Sequence, residues 1–500
     1  MAQFWDESKH DVMSEMIENP LSEARTKPSI HEDVPSPAAR EQRLVRKIDL
    51  YVLPWLCITY ALSLIDRSNI AAAKIVGMEI DLNLTGDRYN VALLIFFIPY
   101  IITEIPSNAI IRRAGTQKYL AILITSWGAI AMCFGFINNY GQLIALRVLL
   151  GIFEGGFNVS HGTFLTSVCE ANLASQPACI YIISSWYKRY EVQQRLSIWF
   201  VFGSVVSGFT GIISYGLSLM EGVGDLRGWR WVFVIPGIVT VLLAVPIFFF
   251  VAEFPEKAKW LEPEELSLVR RRLLEDRGEA LEEPATIRAF LEAATDWKVY
   301  VLSLLLMIPT ATTYALSFFS PSILASFGFN VAMSQVLTTP PYVFGAIVAV
   351  LTGMVADRVR LRSPFIIGYS ILHIAGLAMI GWGDTQGTKY AGMFLAIAGS
   401  NCAIPSALAF LADNVVGTSK RQFAVPIQTV FGGIGGIIGS MIFRREDYPG
   451  YRPGLYASFG LMALNAALAG GLGVFFWLQN RKADKAGKVL EKLQGFRYTL

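Results

Sequence analysis

Stretches of about twenty apolar residues recur along this chain, each long enough to cross the roughly 30 Å hydrocarbon core of a bilayer. A backbone surrounded by hydrocarbon must satisfy its own N–H and C=O groups, and continuous apolar runs do that as α-helices. The runs predict spans near 49–75, 88–111, 118–137, 141–187, 192–219 and 230–252, then 298–326, 333–356, 364–382, 389–414, 421–443 and 454–478. The expected fold is an all-α membrane protein with twelve transmembrane helices, six in each half.

The polar segments divide the chain further. Residues 1–47 read as a disordered cytosolic tail with no cleavable signal, 48–252 as the N-terminal bundle, 253–297 as a charged cytosolic linker, 298–480 as the C-terminal bundle and 481–500 as a second cytosolic tail. Only 16% of the 500 residues are charged, against about 25% in soluble domains. A net charge of +3 gives no case for nucleic acid. The five cysteines form no CxxC pair and the four histidines form no cluster, so neither a metal site nor a cofactor is expected. No P-loop occurs, and no His, Asp or Cys group gathers at one membrane face as an integral enzyme would need. Basic residues concentrate in alternate loops, for example Arg112, Arg113 and Lys118, then Lys188, Arg189 and Arg195, then Arg481, Lys482 and Lys485. The positive-inside bias therefore places both termini in the cytosol, against the contrary Arg444, Arg445 and Arg452.

One loop carries a pattern. Gly353-Met-Val-Ala-Asp357-Arg358-Val-Arg360-Leu-Arg362 joins the eighth and ninth spans, and Asn108-Ala-Ile-Ile-Arg112-Arg113-Ala-Gly115 stands at the equivalent place in the first half. Basic side chains at helix ends often only snorkel to the interface. Recurrence in both halves favours a gating latch between bundles.

These loops resemble the G-x-x-x-D-R-x-x-x-R loop of the major facilitator superfamily. Further matches point to its fungal allantoate permease branch of anion:cation symporters: Arg46-Lys47-Ile48-Asp49, Asp66-Arg67-Ser68-Asn69, Ile183-Ser-Ser-Trp-Tyr187-Lys-Arg189, Leu226-Arg-Gly-Trp-Arg230-Trp and Phe254-Pro-Glu-Lys-Ala-Lys-Trp260. The resemblance implies the major facilitator fold and a proton-coupled symporter, working by alternating access between two rocking bundles. Its substrate would be a small organic anion or vitamin-like carboxylate such as nicotinate, pantothenate or allantoate. Protons and the lipid bilayer would be its other partners, the plasma membrane its location and the monomer its state. A transport-inactive membrane sensor of the same fold is the alternative.

The charges inside the spans have their own footing. Asp66 and Arg67 lie deep in the first apolar run, where an ionisable residue is costly and usually functional. Arg147, Gly151 and Glu154 recur at i, i+4 and i+7 of the fourth, on one helical face. An arginine facing a cavity binds a carboxylate through paired N–H donors, and a carboxylate there can carry a proton across. Two readings stand at this point: a transport site, or structural ion pairs joining helices. The resemblance implies the first, with Arg67, Tyr100 and Asn69 binding substrate, Asp66 and Glu154 coupling protons, and Arg147 as the charge partner of Glu154. It also implies gating roles for Asn108, Arg112, Arg113, Gly353, Asp357, Arg358 and Arg362. Gly433 departs from the pattern, since an asparagine is usual there.

Residues 159–176 do not fit a helix that carries Glu154. Without them, 141–158 runs directly into 177–187 as one span. Val159-Ser160 can be encoded by GTAAGT, Ala171-Asn172 by GCTAAC and Gln176 by CAG, the donor, branch-point and acceptor sequences of an intron of eighteen codons. The segment is expected to be a translated, unspliced intron. Sequencing the mature transcript is expected to show these codons absent; a mature message that retains them removes the idea.

Overall fold

The computed structural model describes residues 37–114, 116–157, 186–187, 189–250, 260–277, 294–416, 418–487, 489–491 and 496–500. Among them are twelve helices of eighteen residues or more and no β-strand. The first half holds α1 (Pro37–Ala73), α2 (Arg88–Ala114), α3 (Thr116–Cys133), α4 (Tyr140–Phe157), α5 (Arg189–Ser218) and α6 (Gly228–Phe250). The second holds α7 (Trp297–Ser326), α8 (Thr339–Val359), α9 (Ser363–Trp382), α10 (Gln386–Asn414), α11 (Thr418–Ile442) and α12 (Arg452–Ala486). A surface helix, Pro263–Arg277, lies between the halves in sequence.

Ten of the helical segments are long and apolar enough to span a bilayer. The other two positions of the expected twelve, α2 and α4, fall short of that measure; the apolar stretch of α2 is Arg88–Thr103. The chain is a multi-pass membrane protein. Its apolar side chains also face outward, with Leu242 64% and Phe249 67% exposed, a surface that hydrocarbon covers and water would not.

By contacts the chain divides into residues 1–45 and 46–500. Of the first, only the start of α1 is described. That helix opens at Pro37, ahead of the start expected at residue 48, and proline's fixed φ suits a first helical turn. All that follows concerns the second unit. The suspected insertion 159–176 lies outside the described residues.

Helix pairing repeats between the halves. In the first, α2 packs on α4, α3 on α6, and α5 on α1 through Trp199 Nε1 donating to Leu56 O at 3.1 Å. In the second, α8 packs on α10, α9 on α12, and α11 on α7. The halves meet through α2 against α11 and α5 against α8. This is the wiring of a fold built from two similar six-helix units.

The motifs without charges in the spans turn out to fasten the ends of the helices. At the end where α1 begins and α12 finishes (the terminal end), Lys47 pairs with Glu265 of the surface helix at 2.6 Å. Arg195 grips Asp49 with Nε at 3.0 Å and Nη2 at 2.9 Å. Trp260 stacks on Tyr51 at 4.6 Å and on Trp186 at 5.3 Å. At the far end, Arg227 and Trp229 both bond Asp81, at 2.5 and 2.7 Å, while Arg230 reaches Asn138 at 2.9 Å.

The far-end seam between the halves is closed. Asn90 of α2 donates to Ser440 O at 2.8 Å and Phe443 O at 2.7 Å. Tyr89 donates to Phe318 O of α7 at 3.2 Å, and Arg445 pairs with Glu79 at 2.9 Å.

The last residues form a strap across the terminal end of the second half rather than a free tail. Arg362 N donates to Leu500 O. Asn414 bonds Thr499 both ways, at 2.8 and 3.2 Å, Asn480 bonds Tyr498 both ways, and the Tyr498 ring stacks on Phe476 at 4.3 Å. Beneath it, Glu491 accepts from Lys298, Lys420 and Tyr498. Burial alone would raise the Glu491 carboxyl, but these three donors outweigh it and hold it down at about 2. A carboxyl held below its ordinary 4.5 contributes its full stabilisation above that value and loses it only as pH falls toward about 2. The strap is therefore expected to resist acid in the range a cell meets, and to depend on packing. Tyr498→Ala should lower stability by about 3 kcal/mol, and Glu491→Gln should lower it at neutral pH, both read as thermal melting in detergent. Unchanged melting in both variants would show that the strap does not hold the bundle.

Candidate functional site

Four helices deliver side chains to one buried point. Arg67 on α1 is 6% exposed and Glu154 on α4 is fully buried. Arg67 Nε donates to Glu154 Oε1 at 2.5 Å, and Ser63 Oγ, one turn earlier on α1, donates to the same oxygen at 2.5 Å. From the other half, Tyr314 of α7 accepts from Arg67 Nη1 at 2.7 Å. The guanidinium lies 4.9 Å from the Tyr100 ring and 5.4 Å from the Phe96 ring, both on α2. Phe97 meets Tyr314 edge-on at 5.0 Å, and Tyr314 stacks on Phe318 at 5.6 Å.

Glycines allow this convergence. A Cβ on Gly151 would sit 2.3 Å from Phe96 O, and one on Gly155 would sit 2.6 Å from Tyr100 O. α4 therefore lies directly on the backbone of α2, and Glu154, one position before Gly155, is swung against α1. On the opposite wall, a Cβ on Gly433 would meet Ile101 at 2.6 Å and one on Gly436 would meet Phe97 at 2.3 Å. The glycine that departs from the family pattern is thus where α11 closes on an apolar side chain of α2.

Asp66 is 5% exposed and lies within electrostatic reach of Glu154 and Arg147, beside the Trp127 indole. Arg147 is 2% exposed, with its guanidinium 5.4 Å from the Phe134 ring. Here Glu154 takes Arg67 as its ion-pair partner instead of Arg147. The reason is axial: seven residues of helix separate Arg147 from Glu154 by about 10 Å. With all four ionised, Asp66, Arg67, Arg147 and Glu154 sum to no net charge. Arg67 Nη2, Glu154 Oε2 and Asp66 Oδ2 have no hydrogen-bond partner among the protein atoms described, which is uncommon for buried polar groups.

The remaining expected residues are spread more widely. Asn69 is buried with its Nδ2 unpartnered, yet it stands two residues, about 200°, around α1 from Arg67 and leaves the helix on the other side. Of the gating residues, Arg362 is buried and bonds Asp413 of α10 at 3.0 Å, within its own half. Arg358 is exposed and Gly353 has open space beside it. The side chains of Asn108, Arg112, Arg113 and Asp357 lie outside the described residues. Sequence reasoning missed Tyr314, whose only signal was a phenol in the otherwise small and apolar run Thr310-Ala-Thr-Thr-Tyr314.

The Major Facilitator Superfamily model matches residues 56–174, 162–440 and 302–495. The chain belongs to the major facilitator superfamily. It is 31% identical to the MFS-type transporter cnsO of Penicillium expansum over 469 residues, covering 91% of this chain and 86% of that one. It is 28% identical to the high-affinity nicotinic acid transporter of Saccharomyces cerevisiae over 485 residues, covering 97% and 86%. A bacterial homologue of the human lysosomal transporter Spinster, solved inward-facing and occupied, shares the fold with a TM-score of 0.59 at 16% identity, covering 87% of this chain and 97% of that one. This facilitator is a membrane transporter.

The glycine contact provides a test of how the site is assembled. Gly155→Ala places a methyl 2.5 Å from Thr103 Oγ1, so α2 and α4 must part. The expected loss is about 1–3 kcal/mol, read as a lower melting temperature of the purified protein. Melting unchanged from wild type would mean that α4 does not lie on α2 as described.

Proposed function

We propose that this facilitator is a proton-coupled symporter that imports a small organic anion by alternating access. The observation that carries this reading is the Arg67 guanidinium, buried between Glu154 of one half and Tyr314 of the other. An anion entering a net-neutral group of four buried charges would leave one charge uncompensated, at an effective cost of several kcal/mol. A proton taken up by Glu154 cancels it. Protonation also frees Arg67 from its internal partner, so that the guanidinium can take the substrate carboxylate with paired N–H donors. Loss of the proton on the other side lets Glu154 recover Arg67 and expel the anion. Tyr314 ties that exchange to the second half, because its hydroxyl follows Arg67.

The rings of Phe96, Phe97, Tyr100, Tyr314 and Phe318, with Ile101 against Gly433, line the surroundings of Arg67 with flat apolar surface. That favours an aromatic carboxylate such as nicotinate over pantothenate or allantoate, in keeping with the yeast relative's name. The rocking bodies are residues 48–252 and 298–480, with 253–297 as linker. The positive-inside bias assigns the terminal end to the cytosol and the closed far end to the outside of the plasma membrane. Asp66 is assigned a second proton-carrying role, and the protein is taken to act as a monomer.

Uptake of labelled nicotinate into proteoliposomes under an imposed pH gradient tests the mechanism, using chains with and without residues 159–176. Arg67→Met should reduce accumulation at least a hundredfold. Glu154→Gln should keep nicotinate exchange but lose its response to the gradient. Accumulation that still follows the gradient in Glu154→Gln would end the coupling assignment, and ligand binding with no flux in the wild type would mark a sensor instead.

A further inference from the structure

Among the described residues, Lys74 is a buried cation that the mechanism above does not use. Lys74 stands at the far end of α1, where the helix passes into a single π-helical turn, Lys74–Met78, with Gly77 at φ +132°. Such turns insert an extra residue at a cost to the backbone and concentrate at functional sites. The lysine is 6% exposed. Its ammonium lies 4.1 Å from the Tyr89 ring of α2 and 5.3 Å from the Phe319 ring of α7. No carboxylate pairs with it among the described residues. Glu79, whose charge is felt at Lys74, is bonded to Arg445 at 2.9 Å, and Asp81 is held by Arg227 and Trp229.

The energetics do not close within this state. A cation over aromatic faces gains about 0.5–2 kcal/mol, whereas removing an ammonium from water costs several. Methionine at this position would satisfy the closed seam better. An anion met in another conformation would supply the compensating interaction. The two walls of the cage come from opposite halves, and Tyr89 is itself part of the seam, meeting the Phe319 ring edge-on at 5.6 Å. Parting the far end separates those walls and returns the ammonium to water.

Position along α1 supplies the ligand. Lys74 follows Arg67 by seven residues, which is two turns, or about 10 Å, with only about 20° of drift around the helix. The two cations stand on one face of one helix, one at the mouth and one at the centre. We propose that Lys74 is a second anion-binding site, at which an organic carboxylate is first captured when the far end opens. As the seam closes, the ammonium withdraws between Tyr89 and Phe319 and the anion passes inward to Arg67. The proposal rests on the symporter reading, and names where its substrate enters.

Two measurements on purified wild type, Lys74→Met, Lys74→Arg, Arg67→Met and the Arg67→Met/Lys74→Met double variant test it. The first is pH-driven uptake of labelled nicotinate, pantothenate and allantoate into proteoliposomes. Lys74→Met should raise KM for the transported acid about tenfold, and Lys74→Arg should restore it to within about threefold. The second is binding of the same three acids to the proteins in detergent. Arg67→Met should retain weak binding that the double variant loses. A KM unchanged in Lys74→Met overturns the entry site and leaves the symporter standing. Wild type that transports none of the acids overturns the symporter reading; equal binding by Arg67→Met and the double variant then overturns the entry site as well.

Discussion

A charge inside hydrocarbon must be answered by an opposite charge, and the Arg67–Glu154 pair is where this protein meets that requirement. Neither residue could stand alone: removing one partner of a buried pair typically costs about 3–5 kcal/mol, because the other is left uncompensated. The pair also sets where helices go. Glu154 must reach α1, so α4 must lie close against α2, and Gly151 and Gly155 remove the side chains that would prevent it. A single ionic contact thus fixes the mutual placement of three helices in the first half.

The second half is tied to that pair by one hydroxyl. Tyr314 bonds the guanidinium while its ring packs on Phe97 and Phe318, so the Arg67–Glu154 pair is in direct contact with the second half. The far-end seam combines neutral contacts to backbone oxygens, from Tyr89 and Asn90, with one partly exposed ion pair, Arg445–Glu79. Such bonds net only about 1 kcal/mol each and exchange readily for water. The terminal end is built differently, with a bidentate Arg195–Asp49 pair, stacked rings around Trp260 and the strap ending at Leu500. These contacts do not cross the seam between the halves.

Much of this was legible in the residues. Continuous apolar runs have one solution in a bilayer, so helices and their order follow from local chemistry. That Asp66, Arg67, Arg147 and Glu154 turn inward was equally visible, because charges inside such runs are too costly to leave facing lipid. The pairing among them was not. Arg147 and Glu154 share a helical face and the resemblance implied their partnership, but a shared face does not shorten two turns of axial distance. The C-terminal residues looked like an ordinary polar tail, since nothing local tells Tyr498 that Phe476 is waiting.

Sequence by itself determined what kind of solvent this chain lives in, how many times it is apt to cross it, and which ionisable groups it carries inside. Tertiary structure alone decided which charges touch, that Tyr314 joins them from the other half, and that Lys74 is caged without an anion. The physical reason is range. Hydrophobic runs and helix periodicity act between near neighbours in the chain, whereas ion pairs, aromatic cages and seams join residues hundreds of positions apart, as Asn90 and Ser440 are at a separation of 350, and only packing brings those together.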